Sequence, residues 1–339
     1  MIRSLICAAA CAACAVPASA APVVEVFLEA DVATAELTFL EAVTSDGTTA
    51  YAVLRDTTAA DVGGVQAFSG GVVTPVSTPT DYAATGSTND LALGNGFAVV
   101  GNVLRGVSFF DNNVYEVDLG TGAVTEVVSA ASIDAAAGVS ANLSASFETT
   151  ADGTIYSVES VGDQVLAISP GNAVSVEIDP VNFAAANGGT SIGGIGVLGD
   201  TILLGSNSLD ALIAWDTVTD TFTTVLTTAE IEAATDDIDG TASFGDIFAA
   251  PDGLVYFYEG DSDHLLAYNP SAPASSLTAI ITEQEFTDGP SSDTINQLTW
   301  FEGNIAFTDG GIGFYTIPEP TTALLGMIAL VGFGAARRR

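Results

Sequence analysis

The chain has 339 residues, with no lysine, six arginines and 42 acidic residues, and its formal net charge at pH 7 is −36. A field of this sign repels DNA, RNA and anionic membrane surfaces, which argues against nucleic-acid binding as a class of function. Disorder is not expected, because the acidic residues are dispersed between runs of Val, Ile, Leu and Phe that can form a core.

The N-terminus has the layout of a secretory signal peptide. Arg3 supplies the positive charge, and residues 5–16 form an apolar run. Ala18 and Ala20 are the small residues of the cleavage site, which lies directly after Ala20. We therefore expect residues 1–20 to be removed, leaving a mature chain that starts at Ala21.

All three cysteines, Cys7, Cys11 and Cys14, lie inside this peptide. A lipoprotein interpretation of Cys14 is disfavoured, since Cys11 stands where an aliphatic residue is expected. After ordinary cleavage the mature chain has no cysteine, so neither disulfides nor thiol chemistry is expected.

The body, residues 21–316, repeats with a period of about fifty residues, which is typical of a propeller. Two-residue turn signals recur with spacings of 49, 57, 47, 53 and 50 residues, and each precedes a β-rich run. The six signals are Asp46-Gly47, Asn95-Gly96, Asp152-Gly153, Gly199-Asp200, Asp252-Gly253 and Glu302-Gly303.

Each repeat also carries a second, a third and an innermost strand pattern, of which Leu212–Asp216, Thr221–Val225 and Ser243–Phe248 are examples. Four strands in each of six repeats predict an all-β fold, a six-bladed β-propeller, with seven blades as the alternative. The last repeat lacks its outer strand, so residues 23–28 are expected to pair with it and close the ring. The signals Thr227-x-x-Glu230 and Thr282-x-x-Glu285 predict short capped helices in the connections.

Two familiar motifs occur, and we reject both. Residues 194–199 spell G-x-G-x-x-G, but a strand rather than a helix is expected after them, so the dinucleotide fingerprint lacks its context. Residues 189–193 spell G-x-S-x-G without a following helix, and His264, the single histidine, is interpreted as a solvated loop residue.

One set of positions in the repeat suggests a metal site. Counting seven residues back from the second residue of each turn signal gives Leu40, Asn89, Ser146, Gly193, Asp246 and Asn296, which are expected around one mouth of the central channel. The side chains of Asn89, Ser146, Asp246 and Asn296 carry the oxygen ligands that Ca²⁺ prefers. Glu41, Asp90 and Gln297 lie one residue later and would take part if the register shifts by one.

This polar ring is similar to the one that holds the metal in six-bladed, calcium-dependent lactonases and esterases, which the body resembles in architecture alone. The bland interpretation, which we prefer, is a hydrated polar channel. Ca²⁺ is the candidate cofactor only under the alternative interpretation, a metal site at the channel mouth.

The loops between the second and third strands are acidic and should open on the rim of the same mouth. A solvated rim is the interpretation we prefer, and weak Ca²⁺ binding is the alternative. The acids are Asp56, Asp61, Asp111, Asp163, Asp210, Asp261, Asp263 and Asp309.

The C-terminus combines Pro318-Glu319-Pro320, an uncharged apolar run over residues 321–336, and Arg337, Arg338 and Arg339. The run has the character of a short transmembrane helix, and the arginines favour the cytoplasmic side. Residues 317–339 resemble the PEP-CTERM sorting signal, which the membrane enzyme exosortase reads on exported proteins. A plain membrane anchor is the alternative.

This resemblance implies export across the inner membrane, anchoring by the C-terminal helix until exosortase cuts near Pro318–Pro320, and a final place at the cell surface or in the extracellular matrix. It also implies a bacterium that makes exopolysaccharide, so a polysaccharide or an envelope protein is the expected partner. We expect a non-catalytic binding or structural protein; the alternative is a calcium-dependent hydrolase with its site at the channel mouth.

Overall fold

The computed structural model describes most of the body and neither terminal segment. The signal peptide, the sorting motif, the apolar run and the final arginines therefore lie outside the described residues. The described residues are 23–27, 37–56, 64–70, 72–86, 96–108, 111–236, 241–272, 276–283, 295, 297–308 and 312–316.

The chain forms six four-stranded antiparallel sheets, and the all-β propeller fold is confirmed. Five sheets are each built from four consecutive strands, and the sixth, here called the closing sheet, combines the last three strands with the first. In sheets 1 to 5 neighbouring strands pair as simple hairpins, which suits a sequence rich in Asx-Gly turns.

The strands of sheets 1 to 5 follow one another along the chain. Sheet 1 contains β2 (Leu37–Ser45), β3 (Ala50–Asp56), β4 (Gly64–Ser69) and β5 (Val72–Pro75). Sheet 2 contains β6 (Phe97–Val100), β7 (Val103–Val107), β8 (Val114–Asp118) and β9 (Val124–Val128). Sheet 3 contains β10 (Leu143–Thr149), β11 (Ile155–Glu159), β12 (Gln164–Ile168) and β13 (Val174–Ile178). Sheet 4 contains β14 (Gly194–Leu198), β15 (Thr201–Ser206), β16 (Ala211–Asp216) and β17 (Thr221–Leu226). Sheet 5 contains β18 (Phe244–Ala249), β19 (Val255–Glu259), β20 (His264–Tyr268) and β21 (Thr278–Ile281).

The closing sheet joins the two ends of the body. It contains β22 (Leu298–Phe301), β23 (Asn304–Thr308), β24 (Ile312–Thr316) and, on its outer side, β1 (Val23–Phe27). β1 pairs antiparallel with β24, and Val23 lies opposite Tyr315. The N-terminal strand thus supplies the outer strand that the last repeat lacks, as the sequence predicted.

The innermost strands, here called the channel strands, form a closed ring. They are β2, β6, β10, β14, β18 and β22, and each contacts the next around the axis. The apolar core lies between neighbouring sheets, where residues such as Phe147, Leu166 and Ile133 pack with side chains of the adjacent sheet.

Short helices connect the sheets. They are α1 (Pro79–Ala83), α2 (Ala130–Ala137), α3 (Pro180–Asn187) and α4 (Thr228–Thr235), and each leads from an outer strand to the next channel strand. The predicted cap at α4 is present, because Glu230 Oε2 accepts a hydrogen bond of 2.8 Å from the backbone N–H of Thr227. Most of the second predicted cap, Thr282 to Glu285, lies outside the described residues. Among the helices that the structure describes, none is long and apolar enough to cross a membrane.

Arg105 on β7 joins sheet 2 to sheet 3. Its side chain is almost fully buried; Nε donates to Glu116 Oε1 at 2.6 Å, and Nη2 donates to Asn172 Oδ1 at 2.6 Å. Nη1 also donates to the carbonyl of Ser169, in the turn after β12. One guanidinium group therefore donates to acceptors on two sheets. The ammonium group of a lysine lacks the planar set of donors that this arrangement uses.

Replacing Arg105 by methionine should lower the free energy of unfolding by about 3 kcal/mol, because it leaves Glu116 and the turn acceptors without their donor. Urea unfolding measures this loss. Glu116→Gln is the matched control and should cost less, since its amide oxygen still accepts from Nε. Equal stability of Arg105→Met and the wild type would contradict the assigned role.

Candidate functional site

The channel holds a cavity of about 330 Å³ at the end where the channel strands finish. This position follows from its lining, which includes residues 45–47 after β2 and Pro251 after β18. The polar wall is formed by Thr44, Glu148, Gln297 and Thr299, and aromatic side chains of Phe248 and Trp300 also line it. Five of the six channel strands contribute to this lining, so the cavity depends on the closed ring.

Asp246 is the most unusual polar residue of the channel. It is 2 % exposed, its Oδ2 accepts a hydrogen bond of 2.8 Å from the backbone N–H of Leu298, and its buried Oδ1 has no hydrogen-bond partner. Burial raises the pKa of Asp246 to about 7, and the hydrogen bond from Leu298 offsets only part of this rise.

Glu148 on β10 lines the cavity and interacts electrostatically with Asp246 on β18. Burial of its carboxyl group, together with the negative charge of Asp246, raises the pKa of Glu148 well above its ordinary value. The two groups form a carboxyl pair that holds a proton more firmly than an exposed acid does. Sequence reasoning missed Glu148, which lies two residues after Ser146 on the same strand.

Gln297 ties three sheets together at the channel. Its Oε1 accepts from the backbone N–H of Val43 at 3.1 Å, and its Nε2 donates to the carbonyl of Phe97 at 3.2 Å. The residue is 3 % exposed, so both of these hydrogen bonds lie inside the protein. Its amide thus has a structural role, since it joins the closing sheet to sheets 1 and 2.

The predicted ring of four ligands needs a correction in its register. Across their hairpins, Thr149 pairs with Ile155 and Ala249 pairs with Val255. In the closing sheet Trp300 pairs with Ile305, so this hairpin is one residue shorter than the other two. Counting three residues back along each channel strand therefore gives Ser146, Asp246 and Gln297 as equivalent positions, where the sequence count had chosen Asn296. Asn296 and Asn89 themselves lie outside the described residues.

Sheet 4 offers no ligand at this level. Its equivalent residue by the same pairing is Gly194, where the count had chosen Gly193. An added Cβ at Gly194 would lie 1.9 Å from the carbonyl oxygen of Gly245, and one at Gly196 would lie 2.6 Å from that of Ile247. The G-x-G-x-x-G motif is therefore a glycine-rich channel strand that presses against β18, followed by a turn and β15 rather than by a helix.

Ser146 and Asp246 are the two predicted ligands that the structure describes, and both are buried. Within the described part of the chain, no group of three or more His, Cys, Asp or Glu residues is placed to hold a metal ion. The described ring therefore supplies one uncommitted carboxylate oxygen, Asp246 Oδ1, and a serine hydroxyl.

The acidic rim loops have a structural role. Asp163, Asp210 and Asp263 adopt positive φ angles near 50°, a conformation that Asp tolerates better than most residues. Glu159 and Glu259, at the ends of β11 and β19, accept backbone N–H groups of the loops that follow them. Asp61 and Asp309 lie outside the described residues, and the side chain of Asp56 is not described.

The interpretation of His264 as a solvated loop residue was wrong. His264 is the first residue of β20, is 8 % exposed, and has its Nδ1 2.5 Å from the carbonyl oxygen of Ser262. The Asp-Ser-Asp sequence before it forms a tight turn, so the strand begins at the histidine. The G-x-S-x-G motif lies in the connection between α3 and β14, as expected.

Comparisons with known proteins support the fold and nothing finer. No family model matches the chain, and no curated protein sequence matches it. The chain is similar in structure to a gluconolactonase from Xanthomonas campestris, with a TM-score of 0.54 and 12 % identity over 84 % of this chain and 87 % of that one. It is also similar to an inactive variant of virginiamycin B lyase from Staphylococcus aureus, with a TM-score of 0.51 and 12 % identity over 88 % of both chains. A luciferin-regenerating enzyme gives a TM-score of 0.54 at 7 % identity over 84 % of this chain and 94 % of that one. Because these identities are so low, the likenesses show a shared propeller fold and not a shared activity.

Asp246→Asn should stabilise the protein increasingly as the pH rises. The pKa of Asp246 is about 7 in the folded chain against an ordinary value of 3.8, so between these values the folded state keeps a proton that the unfolded state loses. Wild-type stability is thus lost as the pH rises through this window, and the neutral amide avoids the loss. We expect a gain of at least about 1 kcal/mol at pH 8 and little change near pH 4, measured by urea unfolding.

Asp216→Asn is the matched control. Hydrogen bonds from the backbone and the hydroxyl of Thr219 lower the pKa of the exposed Asp216 carboxyl, so its contribution is present above its ordinary pKa and is lost as the pH falls. A pH-independent effect of Asp246→Asn would show that Asp246 ionises as an ordinary acid.

Proposed function

We propose that this chain is an exported propeller that acts at the cell surface or in the extracellular matrix as a binding or structural protein without catalytic activity. Exosortase is its processing partner, and an exopolysaccharide or an envelope protein is its partner after processing. The observation that carries the proposal is the C-terminal sequence: Pro318-Glu319-Pro320, an apolar run, and the arginines 337–339.

The geometry of the closing sheet is compatible with this processing. β24 ends at Thr316, just before the Pro-Glu-Pro motif, and its outer neighbour β1 begins at Val23, just after the proposed signal-peptide site. Cleavage at both sites would remove no strand of the propeller. A processed chain would therefore keep its closed ring.

The calcium-dependent hydrolase remains the alternative, supported by a fold that the gluconolactonase from Xanthomonas campestris shares. The described channel favours it less, because the amide of Gln297 and Asp246 Oδ2 already bind backbone groups. A Ca²⁺ ion takes about six to eight oxygen ligands, and the described ring leaves few of them uncommitted.

Deleting residues 317–339 should change where the protein is retained, because the deletion removes the motif, the helix and the basic cluster together. We expect the truncated chain to be released from the cell envelope and to form no membrane-anchored precursor, as measured by fractionation and immunoblotting. Replacing Pro318 and Pro320 by alanine is the sharper variant: the helix stays, so the uncleaved precursor should accumulate in the membrane. An unchanged location and an unchanged mass for both variants would refute the sorting assignment.

A further inference from the structure

The carboxyl pair of Glu148 and Asp246 has no cation within the described chain to neutralise it. The sequence contains no lysine. Arg105 is committed to Glu116 and to the turn after β12, and Arg55 lies on β3, one strand away from the channel. Two interacting acids, of which Asp246 is buried, are therefore stabilised by a bound proton or by a cation from outside.

Glu148 places acceptor oxygens of the pair next to open space, and Asp246 lies behind the cavity lining. Asp246 Oδ1 is buried without a hydrogen-bond partner, and the Glu148 carboxyl group makes no hydrogen bond with the described residues while it lines the cavity. The hydroxyl-bearing residues Thr44 and Thr299 line the same cavity. An ammonium group donates three hydrogen bonds, which the Glu148 carboxylate and the two hydroxyl groups can accept.

The size and the walls of the cavity favour an organic cation over a bare metal ion. A volume of about 330 Å³ far exceeds that of one ion, and the aromatic rings of Phe248 and Trp300 give it an apolar side. Such rings pack against an alkyl chain and attract a nearby positive charge. Asp46, also in the lining, adds a further negative charge near the mouth.

We propose that the channel cavity binds a small organic cation through a primary ammonium group, with Glu148 in contact with the ammonium and Asp246 as a second negative charge behind it. The ligand class is an alkyl amine, or a larger molecule that presents one. The inference rests on the channel and not on the export route, so it can fail while the sorting assignment stands.

The test is a thermal-shift and calorimetric titration of the purified chain with butylamine near neutral pH, with butanol as the uncharged probe of the same shape. We expect butylamine to raise the melting temperature in a saturable way and butanol to have no such effect. In Glu148→Gln the affinity for butylamine should fall at least about tenfold, since one charge-assisted contact is lost. Asp246→Asn should weaken binding by a smaller factor, and Asp216→Asn, far from the channel, should leave it unchanged.

Calcium chloride is titrated in parallel. A calcium response that Glu148→Gln abolishes, with no response to butylamine, would overturn the proposal and assign the cavity to a metal. No response to butylamine, or an equal response in the wild type and in Glu148→Gln, would overturn it as well. Unfolding of Glu148→Gln near pH 4, where the wild-type residue is protonated, shows whether the variant is folded and makes a loss of binding interpretable.

Discussion

The structure depends on how a chain with almost no cations places its carboxylates. Arg105 makes an ion pair with Glu116 inside sheet 2 and donates hydrogen bonds to Ser169 and Asn172 of sheet 3. Several other described acids accept hydrogen bonds from backbone N–H and hydroxyl groups instead. Asp118, Asp152 and Asp216 accept such hydrogen bonds in the hairpin turns, which lower the pKa of each of these carboxyls. An acid of this kind stabilises its turn while its carboxylate remains solvated. A chain with a high negative charge can therefore form a regular propeller.

Glu148 and Asp246 depart from this pattern at the centre of the channel. They lie on β10 and β18, which the closed ring brings together, and burial raises the pKa of both carboxyls. Gln297 joins the closing sheet to β2 and β6 of the same ring through its two hydrogen bonds to the backbone. Acids with raised pKa values beside a cavity are typical of functional sites, and here they mark the channel.

Much of the fold could be predicted from the sequence, because the turn signals lie at the inner hairpin of five sheets, where Gly47, Gly153, Gly253 and Gly303 adopt the positive φ angles such turns require. In sheet 2 the signal Asn95-Gly96 instead precedes the channel strand β6. The outer-strand closure by residues 23–27 followed from the missing strand of the last repeat. The ring of ligands could not be fixed, because one hairpin turns through Glu302 at a positive φ and is shorter by one residue, which shifts Gln297 into the place expected for Asn296. The burial of His264 could not be predicted, because it depends on the tight turn before this residue. The Glu148–Asp246 pair could not be predicted either, because its two strands are distant in sequence.

The central claim is that the two channel carboxyls, Glu148 and Asp246, hold their protons more firmly than the hydrogen-bonded acids of the hairpin turns. Carbon-detected NMR of the labelled chain, recorded as a pH titration with Glu148→Gln and Asp246→Asn for assignment, measures each carboxyl directly. We expect the turn acids such as Asp216 to titrate below their ordinary pKa, and the resonances of Glu148 and Asp246 to titrate as a coupled pair that reaches neutral pH. Titration of both residues near pH 4, independently of each other, would contradict the account.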